Sequence, residues 1–163
     1  MGTETLKRRI RRSLIIFIVL LALSGITAFP LEWELSLLEQ WSRNSSGFIH
    51  SWIQQTYIAV ADTNEHYPFL SDGTDWLAFA HLVIATAFIG PLRDPIKNIW
   101  VIEFGMIACV MVFPLAFICG PIRGIPFYWQ LIDCSFGVFG LIPLYYCRKQ
   151  ILALETLTSK TKS

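Results

Sequence analysis

The sequence predicts an all-α integral membrane protein: a four-helix bundle with an extracytoplasmic amphipathic helical cap. Three observations predict it. First, 54% of the 163 residues are hydrophobic and only 15% are charged, where a soluble domain carries about 25% charged residues. Second, four apolar segments approach the roughly 17 to 25 residues that a helix needs to cross about 30 Å of hydrocarbon. Third, the charges are sorted along the chain. Lys7, Arg8, Arg9, Arg11 and Arg12 open it, whereas Pro30 to Asp75 holds seven acids and one base, Arg43. The length suits a single membrane domain, 1–163.

The first segment, LIIFIVLLALSGITAF at 14–29, follows the basic cluster directly. Its basic lead and small-residue end also fit a signal peptide cleaved after Ala28, but Ile26 departs from the small residue preferred at that place. An uncleaved signal anchor is the expectation. Residues 31–62 read as outer amphipathic helices. Leu31, Leu35, Leu38 and Trp41 fall on one side of the first, with Glu32 and Glu39 turned away; Phe48, Ile49, Trp52, Ile53, Tyr57 and Val60 recur at helical spacing in the second. NSSG at 44–47 is the turn between them, and Asn44-Ser45-Ser46 matches the glycosylation sequon.

The second span is 76–90, with Asp72-Gly73 as the turn before it and Thr74 or Asp72 as its cap. In PLRDPIKN, Pro91 discourages continuation, Asp94 can cap the third span at 99–119, and Pro95 sits in its first turn. The fourth span is 129–147, and 148–163 is a short cytoplasmic tail. Ala78, Ala85, Gly105, Ala108, Cys109, Gly137 and Gly140 allow close helix contact. Counting Lys and Arg near the helix ends gives orientation. With the N-terminus inside, eleven bases are cytoplasmic and only Arg43 and Arg123 lie outside. Letting residues 47–61 span as well would leave six inside and seven outside, and it would bury His50, Gln54 and Gln55. That topology is rejected.

Ionisable groups within a membrane are costly and therefore functional candidates. Here they are His81, Glu103, Arg123 and Asp133. At about 1.5 Å of rise per residue, His81 and Asp133 lie roughly 9 and 6 Å inside the same boundary, while Glu103 lies toward the other. Two readings follow. In one, Asp133 orients His81, Arg123 supplies a cation, and Tyr128 and Trp129 wall a small ligand-binding pocket; His81 and Asp133 are also the candidate catalytic acid/base pair. In the other, Arg123 and Asp133 form an ion pair that fastens the loop, and His81 bonds a nearby backbone carbonyl. Glu103 is expected to snorkel or to bond across the bundle. No metal site is expected, because at 100° per residue Asp75 and His81 point about 120° apart, leaving His66, Asp72 and Asp75 as the only coherent subset. No C-x-x-C pair occurs among the four cysteines. Packing thiols are the expectation, with a disulfide between Cys119 and Cys134, which are near enough in depth, as the alternative.

The block from DGTDWLAFAHLVIA through GPLRDPIKNIWVIEFGMIAC to RGIPFYWQLIDCSFGVFG, roughly residues 70 to 150, resembles a group of small polytopic bacterial inner-membrane proteins of uncharacterised function. The resemblance implies that setting and no biochemical role. Multi-pass residence in a bacterial inner (plasma) membrane, with both termini cytoplasmic, is thus the expectation. Nucleic acid is excluded as a partner, because the basic cluster abuts an apolar segment and lacks interleaved aromatics; inner-leaflet head groups suit it better. The leading expectation is a non-enzymatic protein that binds a lipid-like ligand or a partner subunit at its outer-leaflet face. Its partners are then membrane lipids, with a membrane protein or a second copy as the other choices, and no cofactor is expected. The alternative is a membrane-embedded enzyme acting on a lipid or isoprenoid, and a transporter comes third.

Overall fold

The computed structural model describes residues 2–43 and 47–162, so the turn and the sequon expected at 44–46 lie outside the described residues. The chain is all helical: α1 (Thr3–Ala28), α2 (Leu31–Ser42), α3 (Phe48–His66), a 3₁₀ turn (Pro68–Leu70), α4 (Ser71–Ala87), α5 (Ile89–Arg93), α6 (Ile99–Ile122) and α7 (Phe127–Lys162). Four stretches are long and apolar enough to cross a membrane: Thr3–Ala28, Pro68–Arg93, Ile99–Ile122 and Phe127–Lys160. The shortest has 24 residues, on the order of 36 Å of helix. This is a polytopic membrane protein with a cap of shorter helices, α2 and α3. The contacts form two compact units, Met1–Val19 with Ala85–Ser163, and Leu20–Ile84.

In the first unit, α6 and α7 pack antiparallel through small residues. A Cβ on Gly137 would lie 2.6 Å from the Cys109 backbone oxygen, and one on Gly140 would lie 2.9 Å from Cys109 Sγ. One on Gly105 would meet the Phe88 ring at 2.7 Å. Lipid tails are as apolar as leucine, so close approach and dispersion, not hydrophobic burial, hold such helices together. Phe88 also packs on Phe17 of α1, with ring centroids 4.7 Å apart. Leu6, Ile10, Leu14, Ile102, Leu144 and Ile151 complete the buried core.

Helix α4 stops at Ala87, four residues before Pro91. The cause is steric, since a proline ring clashes with the carbonyl four residues earlier. Asp94 caps the turn before α6 and not α6 itself: its Oδ1 accepts from Lys97 N at 3.1 Å. Asn98 Nδ2 donates to Gly90 O and Asp94 O at 3.2 and 2.9 Å, and α6 starts one residue later. At the other end of α6, Gly124 adopts φ +68°. Ile125 N donates to Gly120 O at 2.9 Å and Gly124 N to Pro121 O at 3.1 Å, which is the Schellman pairing that lets glycine end a helix. Gln130 then closes the loop by donating from Nε2 to Ile125 O at 2.8 Å. Beyond Cys147, α7 continues unbroken through the segment read as a tail.

In the second unit, Gly25 of α1 lets α4 approach: a Cβ there would lie 2.8 Å from Ala78 O and 2.9 Å from His81 Cβ. Helices α2 and α3 form an antiparallel hairpin, but not by burying the expected stripe. Its seam is Glu32, Leu35, Glu39 and Ser42 against His50, Ile53 and Asn64. Glu39 is 8% exposed, whereas Trp41 is 88% exposed and Leu38 also lies outward. Pairing the polar groups with one another satisfies hydrogen bonds that burial would otherwise leave unmade. The turn before α4 also differs from expectation, since Gly73 lies inside the helix and the helical backbone is interrupted at Tyr67.

Candidate functional site

In the second unit a cavity of about 670 Å³ lies where α1 ends and α4 begins. Helices α2 and α3 supply its polar floor. Glu32 stands one residue into α2, and the hairpin register places Asn64 opposite, so that Asn64 Nδ2 donates to Glu32 Oε2 at 2.6 Å. The Ser71 hydroxyl donates to Asn64 Oδ1 and extends the chain of bonds to α4. Asp75, one turn further along α4, also lines the cavity, as do Tyr57 and Ser36. Phe29, Leu31, Trp33, Val60 and Leu70 form its apolar wall. An adjoining cavity of about 320 Å³ shares Phe29 and Asp75 and continues along Trp76 and Phe79. The arrangement therefore combines three carboxylates, Glu32, Asp72 and Asp75, and an amide–hydroxyl relay with an open apolar groove, and among the described residues no base lines either cavity.

Along the same seam Glu39 Oε1 and Oε2 accept from Arg43 Nε at 3.1 and 3.0 Å, and Arg43 Nη2 lies 2.9 Å from Oε2. The Arg43 hydrogen bond holds the Glu39 carboxyl below its ordinary range, against the opposing effect of burial. Ser42 Oγ lies 2.9 Å from His50 Nδ1.

The candidates named from the sequence are distributed over both units. His81, in the second, is half-buried beside Gly25, and its Nδ1 lies 2.8 Å from Leu77 O of its own helix. Arg123 and Asp133, in the first, line one cavity of about 250 Å³ with Cys119 and Ile125, and no ion pair joins them. Tyr128 and Trp129 contact each other edge to face at the start of α7, with centroids 6.4 Å apart. Glu103 bonds across helices, accepting from Arg148 Nε at 2.9 Å. The four cysteines are free thiols. Among the described residues no three His, Cys, Asp or Glu side chains are placed to hold a metal ion; His66 Nδ1 lies 3.2 Å from Asp62 Oδ1.

Sequence reasoning missed Glu32, Asn64 and Ser71 as a group. A signal was present: Glu32, Ser36 and Glu39 repeat at helical spacing as a polar stripe. It was hidden because a stripe of that kind ordinarily faces water. No family model, no curated protein and no solved structure matches the chain, so function has to be argued from the site.

Proposed function

We propose that this protein is a non-enzymatic binding protein of a bacterial inner membrane, and that its cap cavity holds a lipid-like ligand on the outer face. The observation that carries the reading is the pairing of a polar floor, Glu32, Asn64, Ser71 and Asp75, with an aromatic wall at the cap end of two membrane-spanning stretches. Its volume falls within the roughly 300 to 1,000 Å³ of small-molecule sites. Three carboxylates, with no base lining the two cavities among the described residues, favour a head group that donates hydrogen bonds, a hydroxyl or an amine, and disfavour a phosphate. The open groove along Trp76 and Phe79 suits an acyl or isoprenoid tail. Outward Trp33 and Trp41 support placement of the hairpin in the head-group layer, where tryptophan is enriched. The eleven-to-two division of basic residues supports cytoplasmic termini.

Native mass spectrometry of the chain extracted in several mild detergents tests the proposal. An amphiphile is expected to travel with the protein. The double variant Glu32→Gln, Asp75→Asn should retain it about tenfold less, since a hydrogen bond to a charged group contributes roughly 1.5 to 3 kcal/mol, with helicity by circular dichroism unchanged. Recovery of no amphiphile in any detergent, or equal retention by the variant, overturns the reading.

A further inference from the structure

We propose that the first unit carries a separate site of opposite charge, a basic cavity that takes the phosphate of an anionic phospholipid. It does not depend on the cap cavity: the residues, the unit and the sign of charge all differ. The cavity, about 480 Å³, opens where α1 begins, beside the α5–α6 turn and the last turns of α7. Lys7 and Arg11 of α1 and Arg93 of α5 line it, with Asp94 as the one carboxylate.

The charges there are largely uncommitted. Asp94 is occupied by its own turn, with Lys97 N at 3.1 Å from Oδ1 and Lys97 Nζ at 3.7 Å from Oδ2. Lys7 Nζ lies 3.0 Å from Glu4 Oε1, but both side chains are mostly in solvent, and such pairs exchange partners at little cost. Neither Arg11 nor Arg93 is ion-paired with a described acid. Two arginines from different elements line one cavity, and the planar donor fork of a guanidinium matches phosphate oxygens.

A lipid is favoured over a soluble anion by the remaining wall. Ile10 and Leu154 are almost fully buried and, with Ile96, give the cavity an apolar side. It also sits at the basic end of α1, four residues before the apolar run starts at Leu14 if counted from Ile10, so it lies at the depth of a head-group layer. Basic pockets between membrane helices bind phosphorylated head groups in this manner.

The full chain, reconstituted in vesicles of phosphatidylcholine with a minority of phosphatidylglycerol, is re-extracted and weighed by native mass spectrometry. Selective retention of phosphatidylglycerol is expected. Arg11→Gln with Arg93→Gln should reduce it about tenfold, whereas Arg12→Gln with Lys149→Gln, which removes the same charge away from the cavity, should change it by less than about twofold. An equal fall in both double variants, or no preference over phosphatidylcholine, overturns the proposal. Displacement of the lipid by inorganic phosphate at equal molarity assigns the cavity to a soluble anion and also overturns it.

Discussion

Glu39 shows how a single residue can be visible in the sequence and still be misjudged. Its charge and its position on α2 are plain, and its exposed surroundings are the natural reading; the structure instead buries it in a seam beside Arg43. Because the Arg43 hydrogen bond holds the folded carboxyl below the ordinary glutamate range, the pair stabilises the hairpin above that range, and the contribution is lost as pH falls through the lower, folded value. A change in tryptophan fluorescence from the cap is therefore expected as pH falls below the ordinary glutamate value of about 4.3, and Glu39→Gln should remove that step; an unchanged acid transition in the variant would place its origin elsewhere. His81 illustrates the opposite case. Its depth was legible from the rise of a helix, but its ring bonds Leu77 O, because a back-bond within the helix satisfies a polar group at no cost in new partners.

At the scale of elements, the close α6–α7 approach was legible because small residues recur at 105, 109, 137 and 140. Which of them meets which was not. Gly137 faces a backbone oxygen that cannot move aside, while Gly73 has nothing within 4 Å of an added Cβ. Gly137→Ala should thus cost roughly 1 to 3 kcal/mol through overpacking, and Gly73→Ala, inside α4, should gain up to about 1 kcal/mol from helix propensity. Thermal unfolding in detergent checks the pair; a shift of the same sign for both would contradict the packing. The cap hairpin marks the limit of periodicity. An amphipathic pattern shows that a helix has two faces but not which medium each one meets.

For the whole molecule, the sorting of basic residues predicts a sidedness that is open to direct test. In a chain whose four cysteines are replaced, a membrane-impermeant thiol reagent applied to the outer face should label Asp72→Cys and spare Lys97→Cys; the reverse pattern would invert the topology. The sequence by itself determined that the protein is helical, that four stretches can cross a bilayer and that its charge is asymmetric. Each of these is a local or additive property, set by side-chain transfer free energy and by the length of a helix relative to the hydrocarbon. Only the tertiary structure decided that Glu32, Asn64 and Ser71 join in one network, and that Lys7, Arg11 and Arg93 share one cavity. Those groupings unite residues up to 86 positions apart, and the rotation of each helix about its own axis, on which they depend, is set by packing that no single segment encodes.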